Sequence, residues 1–259
     1  MHKLIIAFAI SAICGISMAA KDPFKGLTPA QKEAKKEEFR RRMYERTGGF
    51  LLQDEKTGKR FAFLDMQDNV KHENISEPIT TLERILRRKV TLERFEGKFA
   101  IDQVPQLIKK ANVAGAIFMV DEATLPSVLV APESGWGVIN VKALKADKPA
   151  ELILNQRVSR EMWRVFAMVN GASNSMMGKC LMQTVTDLKS LDALDAQAFC
   201  PEPMNKIMMH LDHTGVQKIR RITYRGACLE GWAPMPTNAV QKAIWEGVRN
   251  GTIKPSKRP

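Results

Sequence analysis

Glu161 stands between two cations in the run Arg157-Val158-Ser159-Arg160-Glu161-Met162-Trp163-Arg164. Arg157, Arg160 and Arg164 recur at three- and four-residue steps and share one face of a helix. Such a face could cradle a carboxylate or another anion through charge-assisted hydrogen bonds. Paired instead to neighbouring Asp or Glu, the same arginines would form a plain solvated face whose ion pairs contribute little. Glu161 is the one group there with the chemistry of a general base, and its arginine neighbours predict that it stays ionised. Farther on, His210 and His213 flank Asp212 on a predicted helix. They could chelate a metal if a further ligand joined them, although surface or packing histidines are the plainer reading. Met204, Met208 and Met209 follow the same helical spacing as core filler. Met176 and Met177 read as packing residues in a Ser/Asn-rich loop.

The thiols past the first twenty residues are Cys180, Cys200 and Cys228. In an oxidising compartment three thiols predict one disulfide and one leftover cysteine, and spacing does not choose the pair. No Gly-rich phosphate loop, Gly-x-Ser-x-Gly elbow or Cys-x-x-Cys pair occurs, which removes the usual nucleotide, serine-hydrolase and redox signatures. No cofactor is implied.

The elements that must position these groups read as α+β. Ala114 to Val120 is an unbroken apolar run and predicts a buried strand, with further strands at 125–132 and 137–141. A long helix follows over 150–169, where Leu154, Val158, Met162, Val165, Phe166 and Val169 recur at helical steps and Asn170-Gly171 ends it. Upstream, Phe50-Leu51-Leu52 and Phe61 to Asp65 flank a polar, glycine-containing turn, the pattern of a hairpin. Asn74 to Thr80 reads as a polar stretch before a short helix over 81–88. Thr28-Pro29-Ala30-Gln31 is a capping-box pattern opening a charged helix. Near the end of the chain, Thr237 is placed to cap a final helix over 238–249.

The start of the chain predicts export. His2 and Lys3 precede an apolar run from Leu4 to Ile16, and Ser17-Met18-Ala19 supplies small residues for cleavage after Ala19 or Ala20. No later segment is long and apolar enough to span a bilayer. The expected organisation is a signal peptide over 1–19, a basic linker and helix over 20–47, and one α+β domain over 48–259. With 40 Lys and Arg against 28 Asp and Glu the chain carries a formal charge of +12. This favours an anionic envelope component or another protein as partner, while no nucleic-acid motif accompanies the charge.

Strand pair, helix, glycine turn, Cys180-Leu181-Met182 and Cys200-Pro201-Glu202-Pro203 together resemble the archaemetzincin branch of the metzincin zinc proteases, over about 112–206. Metzincins carry His-Glu-x-x-His-x-x-Gly-x-x-His on the helix, two histidines and a third binding zinc while the Glu polarises its water. The resemblance puts Arg160 and Arg164 at the first two His positions, Glu161 at the Glu, Ala167 at the Gly and Asn170 at the third His. Of the four cysteines that hold a second zinc in the family, it leaves Cys180 and Cys200, with Gly171 and Pro203 at the others. It therefore also implies that Cys180 and Cys200 lie close enough to pair. Arg has no lone pair to offer a metal, so a degenerate site is expected, with no catalytic residue and no metal. The fold implied is a small mixed sheet packed on the long metzincin-like helix, closed by C-terminal helices. The function expected is that of an exported, non-catalytic pseudoenzyme. Two alternatives stay open: a secreted hydrolase using an unrecognised site, with His210, His213 and Asp212 as ligands, and an envelope-associated binding protein led by the basic helix over 31–46.

Overall fold

Thr28 and Gln31 cap each other as their spacing predicts. The Thr28 hydroxyl accepts from the Gln31 amide at 3.3 Å, and the Gln31 side chain accepts from the Thr28 amide at 2.9 Å. They open α1 (Pro29–Thr47), which stops where Gly48 adopts φ 70° and donates its amide to the Tyr44 carbonyl. A computed structural model describes residues 26–196 and 198–255; the expected signal peptide lies outside them. Residues 26–49 together with 223–255 form one compact unit, and residues 50–222 form another.

Residues 50–222 hold every predicted site residue. Their elements run β1 (Phe50–Asp54), β2 (Phe61–Asp65), α2 (His72–Leu86), β3 (Val90–Arg94), α3 (Val104–Ala111), β4 (Gly115–Val120), β5 (Val128–Ala131), β6 (Trp136–Asn140), α4 (Val141–Leu144), α5 (Glu151–Val169), α6 (Leu188–Asp192), α7 (Pro201–His213) and β7 (Ile219–Thr223). Five strands make a mixed sheet in the order β3-β2-β4-β6-β5. Only β5, on the edge, runs antiparallel to its neighbour.

The alternation of side chains along β2 and β4 explains why both strands are buried throughout. Phe61, Phe63, Ile117 and Met119 point to the face covered by α2 and α5. Ala62, Leu64, Ala116 and Phe118 point to the opposite face, which α3 covers with Val104 and Leu107. A sheet covered on both sides needs apolar residues at every position, hence the unbroken run in β4. Phe166 of α5 meets Phe61 edge-on at 4.8 Å between ring centroids, a pair worth about 0.5–1.5 kcal/mol beyond its buried area. Gly137 lets α5 approach β6: a Cβ there would sit 2.7 Å from a Val165 methyl and 3.0 Å from one of Val169.

The mixed α+β fold packed on the long helix is thus as expected, but local expectations fail at two places in residues 50–222. β1 does not form a hairpin with β2. Both edges of β2 are taken, by β3 and by β4, and the half-exposed β1 pairs with β7 instead, in a separate two-stranded sheet. The helix α2 begins at His72 and runs through Pro78. Ile75, Ile79, Leu82 and Leu86 form its buried stripe, and that period outweighs the polar residues between them.

In the other unit, α8 (Tyr224–Leu229) is capped by Thr223. The cap of α9 (Ala239–Arg249) is Asn238 rather than Thr237, because the Asn238 side chain accepts from the Gln241 amide. Tyr224 is fully buried there and donates its hydroxyl hydrogen to the Pro234 carbonyl at 2.9 Å. No helix among the described residues is long and apolar enough to cross a membrane.

Candidate functional site

Ten of the nineteen residues of α5 are buried, and Arg157, Glu161 and Arg164 are among them. Their face of the helix is therefore not a solvated one, and each charge needs an internal answer. Arg157 has a complete one. Its Nε and Nη2 hold Asp192 in parallel at 2.8 and 2.6 Å, its Nη1 and Nη2 hold Asp147 at 2.6 and 2.8 Å, and Nη1 also reaches the Leu144 carbonyl at 2.8 Å. All five guanidinium donors are used. The two carboxylates push the Arg157 pKa up, Asp192 first, and Arg157 in turn holds Asp192 below the usual carboxylate range.

Arg164 turns its Nη1 onto the carbonyl oxygens of Leu181 and Gln183, at 2.8 and 2.6 Å. Its Nε lies 3.5 Å from Oε2 of Glu161. Burial pushes the Glu161 pKa up, against the pull of Arg164. Contrary to expectation, then, desolvation outweighs the neighbouring guanidinium and favours the protonated acid. Asn170, at the helix end, donates its side-chain amide to the Phe166 carbonyl at 2.8 Å and is buried. Arg160 points elsewhere. Its Nη1 donates to the carbonyls of Leu191 and Asp192 at 2.9 and 3.0 Å.

Two cavities flank α5. Glu161, Arg164 and Met168 line one of about 550 Å³ with Val128 of β5. Arg160 and Trp163 line another of about 680 Å³ with residues of α2. The three arginines do not form a common anion cradle: Arg157 is satisfied internally, Arg164 is turned onto backbone carbonyls through Nη1 with its buried Nε left without a hydrogen bond, and Arg160 opens onto a different cavity from Arg164.

These residues do not fit a zinc ion. Arg160, Arg164 and Asn170 each direct N–H donors at backbone carbonyls, so they present hydrogens rather than lone pairs. Cys180 and Cys200 likewise fall short of a four-thiolate site, since Gly171 and Pro203 offer no side-chain donor. Cys180 and Cys200 are nevertheless neighbours. The Cys200 amide donates to Cys180 Sγ at 3.2 Å, and the Ser175 hydroxyl lies 3.3 Å from Cys200 Sγ. Burial pushes the Cys180 thiol up, but hydrogen bonds from Cys200, the Met182 backbone and Ser175 outweigh it and hold it below its ordinary value. Burial and Cys180 push the Cys200 thiol up. All three described cysteines are free thiols in this structure.

His210, His213 and Asp212 do not bring their ligand atoms together. Asp212 accepts from Arg88 at 2.7 Å and Lys218 at 2.9 Å, and burial followed by the charge of His213 lowers the His210 pKa. Among the described residues the group that does converge is Asp65, Asp68 and His72, with ligand atoms within 4.8 Å of one another. Asp65 ends β2 with its carboxylate buried. Its Oδ1 accepts from the Asn69 amide at 3.0 Å, its Oδ2 lies 3.2 Å from His72 Nε2, and Asp68 pairs with Arg94 at 2.9 Å. An aspartate closing a wholly apolar strand, with Asp and His three and seven residues on, was the sequence signal for this cluster. Met176, expected as a packing residue, is fully exposed.

No protein-family model matches the sequence, and no curated protein matches it. Among solved structures, the archaemetzincin of Methanopyrus kandleri is similar over 60% of this chain and 96% of its own, at 12% identity and a TM-score of 0.48. A zinc-dependent peptidase of Methanocorpusculum labreanum is similar over 56% of this chain and 99% of its own, at 14% identity and a TM-score of 0.43. Both are distant likenesses to the kind of protein the sequence resembles.

Proposed function

We propose that this chain is an exported, non-catalytic protein, a pseudoenzyme in which a metzincin-like helix has become a structural clasp. The observation that carries this reading is the inward commitment of Arg164. Where the family resemblance calls for an imidazole lone pair, this residue donates to the carbonyls of Leu181 and Gln183 and so ties α5 to the chain carrying Cys180 and Met182. Arg157 does the same for Asp147 and Asp192. Glu161 then has no metal-bound water to polarise and serves as the partial counter-charge of Arg164. The leader over 1–19 and the basic helix over 31–46 support delivery to an anionic envelope surface as the setting in which the protein works.

The test is elemental analysis of full-length protein purified without chelator, together with a peptidase assay after zinc addition. Metal-free protein with no zinc-dependent hydrolysis is expected. Stoichiometric zinc lost on Arg164→Ala would overturn the reading, as would hydrolysis abolished by Glu161→Gln.

A further inference from the structure

Arg160 is the least buried of the three arginines and uses only part of its guanidinium. Nη1 caps the end of α6 through Leu191 and Asp192, whereas Nε and Nη2 have no hydrogen-bonding partner among the described residues. These two atoms form the edge of a guanidinium that matches a carboxylate with two parallel bonds. Arg160 lines the cavity of about 680 Å³ between α2 and α5, a volume in the range that holds a small organic ligand. Trp163, Leu181 and Leu194 supply apolar wall. Glu77 and Asp195 line the same cavity, and neither carboxylate has a cationic partner among the described residues; Glu77 accepts only from Thr81, at 3.1 Å.

We propose that this cavity binds a small apolar zwitterion of the amino-acid type. Its carboxylate is received by the Nε–Nη2 edge of Arg160, its protonated amine is answered by Glu77 or Asp195, and its apolar body lies on Trp163, Leu181 and Leu194. The mixture of charges selects this class. A multivalent anion would meet two unpaired carboxylates, and a simple cation would meet Arg160, whereas a ligand carrying both charges complements the wall on each side. The inference is independent of whether α5 once held a metal, because Glu161 and Arg164 line the other cavity.

Titration calorimetry on the full chain with L-leucine, L-leucinamide and 4-methylpentanoate tests it. The second probe lacks the carboxylate and the third lacks the amine. Saturable one-to-one binding of L-leucine is expected, weakened by roughly tenfold or more in either analogue, the worth of one charge-assisted hydrogen bond. Arg160→Gln should abolish binding. Because Arg160 also caps α6, Ser159→Trp provides a second variant: it fills the cavity without touching the Nη1 bonds, and it too should abolish binding while the circular dichroism spectrum stays unchanged. No saturable binding of L-leucine at millimolar concentration overturns the proposal. Equal binding of all three probes, or binding unaffected by Ser159→Trp, overturns it as well.

Discussion

Nε of Arg164 and Oε2 of Glu161 lie 3.5 Å apart, both buried, and neither atom makes a hydrogen bond. The two groups meet in a place where water cannot share the load, and burial there pushes the Glu161 pKa up against the pull of Arg164. Removing one partner leaves an uncompensated buried charge, at a cost of about 3–5 kcal/mol. Arg164→Met should destabilise the protein by about that much in urea unfolding, and Glu161→Leu in the same chain should recover a substantial part of the loss. Identical stabilities for the single and double variants would show that the two residues are not coupled.

Glu161 and Asp192 should titrate stability in opposite directions. Folded Glu161 has a raised pKa, so its contribution is full below the ordinary glutamate range and is lost as pH rises through the raised value. Asp192 is held low by Arg157, so its contribution is present above the ordinary aspartate range and is lost as pH falls. Relative to the parent, Glu161→Gln should therefore gain stability as pH rises across the acidic range. Asp192→Asn should fall further behind over the same climb. Chemical unfolding at a series of pH values checks both slopes, and parallel curves for both variants would contradict the assignment.

The packing of α5 on β6 depends on a missing side chain. Gly137→Ala would place a Cβ 2.7 Å from a Val165 methyl, and overpacking of this kind costs about 1–3 kcal/mol. Thermal unfolding should show the loss, and Val165→Ala in the same chain should relieve part of it.

Cys180 and Cys200 should pair on oxidation and leave Cys228 free. The contact of the Cys200 amide with Cys180 Sγ already brings the two residues together. Peptide mapping of protein exposed to a disulfide oxidant should find the 180–200 linkage, with alkylation of Cys228 alone. A linkage through Cys228 would refute the pairing.

The sequence revealed what local period can encode. The stripe of Val158, Met162, Val165 and Phe166 fixed α5, and the unbroken run in β4 marked a strand covered on both faces. It misled wherever a long-range partner decided the outcome. Nothing local distinguishes a β1 that pairs with β2 from one that pairs with β7 about 170 residues away, an interval set by topology alone. Charge misled similarly at the site. Three arginines at helical spacing look solvent-facing until Asp147, Asp192 and the carbonyls of 181, 183, 191 and 192 are brought to them by the fold. The Asp65, Asp68 and His72 convergence has no local period to announce it, because its residues straddle a strand end and a helix start.

The pairing of β1 with β7 has a consequence for how this chain can be cut and rejoined. These strands are the first and last of residues 50–222, and the Glu55 amide donates to the Lys218 carbonyl at 2.9 Å just inside them. A segment whose two ends emerge side by side has the anatomy of an inserted module. Its neighbours in sequence, 26–49 and 223–255, belong together in one unit even though the whole of the α5 machinery is spliced between them. Such an arrangement predicts that residues 50–222, expressed alone or with their ends fused and the chain reopened at a surface loop, keep the sheet and α5 whole.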